Sequence, residues 1–195
     1  MFVANYSEAA MPRICFAWSG KHATEFEDAN QGFRWQVVGQ CLAAPESASP
    51  LLLESLFLAD AEWSAEAWCA PPHFAQLGSV LLTRGREGSL GTFAKGFIRS
   101  FDTFGACHEL ELSAGLIDRL RRAADPTTLP ETDLAERKAL QAVRELLEKL
   151  EAGTASEGWA KLAPGTPISN VRVVWPVWYQ RIWTRLSSFC RRVTG

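Results

Sequence analysis

Apolar and polar residues alternate along much of the first half of this chain. From Arg13 to Trp18, Ile14, Phe16 and Trp18 fall on one side. From Phe33 to Leu42, Phe33, Trp35, Val37 and Cys41 oppose Arg34, Gln36, Val38 and Gln40. A period of two is the signature of a strand with one buried face, so both segments are predicted as strands. The polar stretch between them, residues 19–32, reads as a loop or a short helix. Phe74 to Thr83 is apolar and β-like, Gly85, Gly88 and Gly91 mark a turn, and Thr92 to Phe101 returns; together they predict a hairpin. Ala106 to Leu112 alternates again, with Glu109 and Glu111 on one face and Leu110 and Leu112 on the other.

The pattern then changes to a helical one. Ser113 is placed to cap a helix with Leu116, Ile117 and Leu120 inward, ending before Asp125-Pro126. Thr128 to Glu131 has the spacing of a capping box, and the helix after it places Leu140, Val143, Leu147 and Leu150 at core spacing and stops at Gly153. Residues 152–169 form a long connection rich in Gly, Pro and Ser. A short strand, Val171 to Val174, leads into a last helix from about Pro176 to Val193. Leu51 to Ala70 is open to two readings. Ser49 and Pro50 form a plausible N-cap and first-turn pair, which favours a helix, while Leu51-Leu52-Leu53 would also suit a buried strand. The expected architecture is therefore α+β. A mostly antiparallel sheet comes from the N-terminal half, helices come mainly from the C-terminal half, and residues 1–195 form one domain. Residues 1–10 would be a loose extension, with Met11 as an alternative start.

Charge sharpens this picture. The last 38 residues hold no acid, six bases (Lys161, Arg172, Arg181, Arg185, Arg191, Arg192) and four of the eight tryptophans. The first 157 residues carry all 22 acids against 14 bases. Such asymmetry points to a basic surface facing an anionic partner, or to a basic element lying on its own acidic body. The overall charge of −2 argues against a general nucleic-acid binder. No apolar run reaches the roughly 18–20 residues that span a bilayer, and the N-terminus lacks a secretory pattern. Five scattered cysteines fit a reducing, cytoplasmic setting better than a disulfide framework. Arginine outnumbers lysine 15 to 5, as a GC-rich bacterial genome would favour.

Candidate chemistry is sparse. Along 92–101, Phe93, Lys95, Phe97, Arg99 and Phe101 alternate aromatic with basic, the pattern of a single-stranded nucleic-acid platform. The simpler reading is a covered sheet face with the cations reaching its edge. Lys95-Gly96-Phe97 matches the opening of the RNP1 pattern of RNA-recognition motifs, and Ile98 and Arg99 depart from it. Cys69, His73, Cys107 and His108 have zinc chemistry, but strand neighbours 107 and 108 would point to opposite faces. Cys107 with His73 or His108, oriented by Asp102, is the one thiol-nucleophile arrangement that can be drawn. Glu109 and Glu111, about 7 Å apart on a strand, read more simply as a solvated face. No G-x-S-x-G elbow occurs, and Ser19-Gly20-Lys21-His22 is not a P-loop.

The expectation is a protein-binding module of adaptor or immunity type, without cofactor or metal. Its partner-binding residues would be Trp175, Trp178, Arg181, Arg185 and Arg192, facing an acidic protein surface. The alternatives are a nucleic-acid-associated protein using strand 92–101 or the last helix, and a hydrolase or transferase with an unrecognised cleft.

Overall fold

A period of two and a period of 3.6 coincide over short stretches, and three segments of this chain exploit the overlap. The computed structural model describes residues 2–22, 25–125 and 134–155. Among them are seven α-helices: α1 Gln31–Ala43, α2 Pro50–Ala67, α3 Phe74–Gly85, α4 Leu90–Phe97, α5 Phe101–Ala106, α6 Ala114–Ala123 and α7 Leu134–Glu151. The α+β expectation is overturned, because no sheet is present among the described residues. What remains of strand pairing is one isolated antiparallel bridge between Trp18 and Asp28. The described residues belong to the unit Met1–Ala155; the rest of the chain, Ser156–Gly195, lies outside them. The single-domain expectation reaches into that second stretch, as do the expected strand Val171–Val174 and the last helix. The capping box at Thr128–Glu131 also lies outside the described residues.

The expected strand 33–42 is α1, and its buried residues are Arg34, Val37, Val38 and Cys41. Those positions are i, i+3, i+4 and i+7, one stripe of a helix. The first of them is an arginine, which hid the stripe from a hydrophobicity reading. The expected hairpin is a pair of helices joined by the 3-10 turn Arg86–Ser89. α3 buries Phe74, Leu77, Gly78, Leu81 and Leu82, and α4 buries Leu90, Phe93, Ala94 and Phe97. Both sets have the same helical spacing. Small members, Gly78 and Ala94, weakened the helical signal, while Phe93 and Phe97 counted equally for either period. Expected strand 106–112 is instead the last residue of α5 and the 3-10 turn Cys107–Glu109, followed by irregular backbone in which Glu111 N–H donates to Ser79 Oγ at 2.9 Å. Expected strand 13–18 begins at the end of the 3-10 segment Glu8–Arg13 and is otherwise irregular.

The helical reading of 51–70 is borne out. Ser49 Oγ accepts the backbone N–H of Leu52 at 3.2 Å, and Pro50 opens α2. Leu52, Leu53, Leu56, Phe57, Ala59 and Ala61 are all buried on this helix, leaving it apolar on most sides, as a central helix must be. α1, α3, α4 and α5 pack around it, and α7 packs on α4 and α6. The core is tied together by stacked rings. Phe57 stands 4.5 Å from Phe74 and 5.3 Å from Phe93, and Phe97 stands 4.9 Å from Phe104. Such offset pairs add to the value of the area they bury. α6 turns Leu116, Ile117 and Leu120 inward, and α7 turns Leu140, Val143 and Leu147 inward, as the sequence requires. Gly153 has φ +70° and ends α7: its N–H bonds Leu150 C=O, and Thr154 N–H bonds Lys149 C=O, which is a Schellman closure.

The first residues pack on this body. Val3 is buried, Phe2 meets Phe33 edge-on at 5.1 Å, and Tyr6 Oη donates to Ser55 Oγ at 2.9 Å. Among the described residues no helix is long and apolar enough to cross a membrane.

Candidate functional site

The residues expected to bind a partner, Trp175, Trp178, Arg181, Arg185 and Arg192, lie outside the described residues. The expected nucleic-acid platform is within them, and the helix dismantles it. Phe93 and Phe97 are on the inner side of α4 and fully buried, whereas Lys95 and Arg99 are exposed. Phe93 and Phe97 therefore share no surface with the cations, and Phe101, half-buried, opens α5 and does not continue the same face. Glu109 and Glu111 are exposed but share no strand face.

The thiol reading fares no better. Cys107 is fully buried, and burial pushes its thiol far above the usual range, so the nucleophilic thiolate is suppressed. His108 is buried as well. Its Nδ1 lies 2.8 Å from the Phe104 carbonyl oxygen, which fixes the proton on that nitrogen, and burial lowers its affinity for a second proton. Asp102 is half-buried in α5, and desolvation raises its carboxyl above the usual value. Among the described residues no three His, Cys, Asp or Glu side chains gather as a metal site would require; Cys69, His73, Cys107 and His108 are thus not assembled.

A charged cluster that the sequence did not reveal joins α1, α2 and the start of α3. Arg34 and Asp60 are both fully buried, with Nε 2.7 Å from Oδ1. Trp35 Nε1 donates to the same oxygen at 3.2 Å. The other Asp60 oxygen lies 2.7 Å from His73 Nε2, at the edge of solvent. Asp28 closes the far side: its Oδ1 accepts the N–H groups of Ala17 and Asn30, at 3.0 and 3.1 Å. Its Oδ2 is 2.7 Å from Arg34 Nη2, an ion contact whose angle falls short of a hydrogen bond. Two carboxylates around one guanidinium offset much of the cost of burying each charge. Three tiers of sequence, residues 28–35, 60 and 73, are clamped by it. An aspartate holding a histidine is also half of a hydrolytic triad. Among the described residues, however, no serine, threonine or cysteine side chain hydrogen-bonds the His73 ring. Trp35 and Trp63, 5.4 Å apart, roof the cluster; the indole N–H of Trp63 is buried without a hydrogen-bond partner among the described residues.

The second unusual place is the end of α2. Trp68 is 82% exposed, the most exposed of the large apolar side chains described. It also takes the left-handed conformation, φ 59° and ψ 32°, with its N–H bonded to Ser64 C=O. That conformation closes a helix well, but it is normally given to glycine or asparagine, because a Cβ is strained there. A bulky aromatic at such a position is an outlier. Cys69 beside it is exposed too, and the chain then turns into Pro71-Pro72 and α3. The last turn of α2 contains no basic residue. The Cys69 thiol is raised, first by partial burial and then by the negative charge of Asp102. The sequence carried one signal for this site: a tryptophan placed where an Ala/Glu-rich helix runs out ahead of two prolines.

No protein-family model matches this chain, and comparison with curated proteins and with solved structures finds no match.

Proposed function

We propose that this chain is a small protein-binding module, of adaptor or immunity type, that acts by non-covalent association with a partner protein. The observation that carries the reading is Trp68. The residue combines backbone strain with an indole held 82% in solvent. Neither is offset by packing on the body of the protein. Strain and exposure of this kind accompany function more often than architecture, and tryptophan is the residue most enriched among binding anchors. The basic C-terminal segment supplies a second surface in this proposal. Trp175 and Trp178 would anchor it, and Arg181, Arg185 and Arg192 would pair with an acidic protein surface. The odd, scattered cysteine set supports a reducing, cytoplasmic setting.

The test is a comparison of full-length protein with Trp68→Ala in capture of the partner from the source cell. A partner held by the parent and lost by the variant, at unchanged melting temperature, supports the reading. Equal capture by both overturns the assignment to Trp68.

A further inference from the structure

His73 stands where the buried charge cluster reaches solvent. Asp60 Oδ1 accepts Arg34 Nε–H at 2.7 Å and Trp35 Nε1–H at 3.2 Å, and Oδ2 lies 2.7 Å from His73 Nε2. An ionised carboxylate only accepts hydrogen bonds. The imidazole proton therefore sits on Nε2, and the lone pair of the neutral ring on Nδ1. His73 immediately precedes α3, but its side chain does not cap that helix. Nδ1 takes no hydrogen bond among the described residues and is not one of their buried unpartnered atoms, so it meets solvent. The charge of the cluster points the same way. Asp28 and Asp60 set two carboxylates against the single guanidinium of Arg34, and all three side chains are 0% exposed. One negative charge is left over, so a ring that turns positive on reaction is stabilised there. The chain's other two histidines lack this combination. His22 is exposed beside the Trp18 ring, with no carboxylate partner among the described residues. His108 is buried, and its Nδ1–H is donated to the Phe104 carbonyl.

We propose that His73 Nδ1 is a nucleophile that takes acyl groups from activated esters and passes them to water, with Asp60 as its positioning residue. In the first step the Nδ1 lone pair attacks the ester carbonyl carbon. The bond from that carbon to the alcohol oxygen breaks, and the oxygen leaves with the bonding pair. The ring, acylated on Nδ1 and still protonated on Nε2, is then a cation facing the Asp60 carboxylate. In the second step water adds to the same carbonyl carbon and the C–N bond breaks. Its electron pair returns to Nδ1, and the water's spare proton goes to the departed alkoxide. The sum is ester plus water giving acid plus alcohol. A neutral acyl group suits the place better than a phosphoryl group, because the cluster's cation, Arg34, is buried and already shared by two carboxylates. Trp35, edge-on to the imidazole at 5.3 Å, and exposed Pro72 make the surroundings apolar, which suits an aromatic leaving group. The activity is additional to protein binding and does not depend on Trp68.

The experiment uses the full chain, with accessible thiols alkylated beforehand because Cys69 is exposed. The first probe is diethyl pyrocarbonate at about pH 8, where free imidazole is neutral, and the modified histidines are mapped by peptide mass spectrometry. Exposure alone would put His22 first, since the His73 side chain is only 17% exposed. The dyad is instead expected to make His73 react at least about tenfold faster than His22, with His108 unreactive in the folded protein. Reaction of His22 first, or at an equal rate, overturns the inference, and this reading needs no variant to fold. The second probe is p-nitrophenyl acetate, followed by nitrophenolate release. His73→Gln should lower the rate by about tenfold or more at unchanged melting temperature, and His22→Gln should leave it as in the parent. An undiminished rate in His73→Gln overturns the nucleophile. Asp60→Asn, assayed below its own melting temperature, should bring the His73 rate with diethyl pyrocarbonate down to that of His22 or below. The comparison is internal to one molecule, so a general loosening of the fold does not mimic it. A His73 preference that survives Asp60→Asn overturns the role of Asp60.

Discussion

Arg34 of α1 and Asp60 of α2 meet at 2.7 Å with neither side chain exposed to solvent. The pair is the hub of a cluster that also takes in Asp28, Trp35 and His73, and it fixes how the first two helices cross. Removing one partner would strand a buried charge. Asp60→Ala and Arg34→Ala are each expected to cost about 3–5 kcal/mol, read as a lower midpoint in urea unfolding. A loss under about 1 kcal/mol in both would show that the cluster is not a structural clamp.

Glycine positions give a sharper contrast. Gly96 has no room for a methyl group, because Phe57 Cε1 would lie 2.5 Å from it and the ring is fully buried. Gly96→Ala should destabilise by about 1–3 kcal/mol through overpacking. Gly39, in the interior of α1, has nothing within 4 Å. Gly39→Ala should raise stability by about 0.5–1 kcal/mol, from backbone entropy alone. Thermal melts of the two variants should move in opposite directions.

Strain at Trp68 predicts a separation of stability from function. Asparagine accepts the left-handed conformation at φ 59° more readily than tryptophan does. Trp68→Asn should therefore melt at the same temperature as the parent or slightly above it, while partner binding falls. A large drop in melting temperature would mean that the indole packs on the protein and is not displayed.

Thiol chemistry should divide the cysteines and set a pH dependence. Cys69 is exposed and should react with a charged alkylating reagent in the folded protein, whereas Cys41 and Cys107 should not react until unfolding. Burial pushes the Cys41 thiol from 9.0 up to about 11. The folded state keeps a proton that the unfolded chain releases. This contribution to stability is full below about pH 9 and is lost as pH rises toward 11. Cys41→Ala should flatten the alkaline slope between those values in urea titrations, whatever it does to stability at neutral pH. An unchanged slope would place the lost proton elsewhere.

The helices that were legible in the sequence had their boundaries marked by local chemistry. Ser49-Pro50 announced α2, Leu116-Ile117-Leu120 announced the inner face of α6, and Gly153 announced the end of α7. Ser100 with Thr103, the reciprocal cap of α5, was equally local and was masked by the strand reading laid over 92–101.

What the sequence determined by itself was where chain elements stop, because caps, prolines and left-handed glycines act within a few residues. It also determined the charge asymmetry and the lack of a membrane-spanning run. What only the tertiary structure decided was which side of α1, α3 and α4 is inside. Phe93 and Phe97 satisfy both a strand and a helix. The choice falls to the helix because Phe57 of α2 and Gly78 of α3 meet Phe93, and Phe104 of α5 meets Phe97. Arg34 is buried because Asp60, 26 residues away in sequence, is brought to it alongside the nearby Asp28. A charge can occupy a core position only when its partners arrive with the fold, and that is information no local pattern contains.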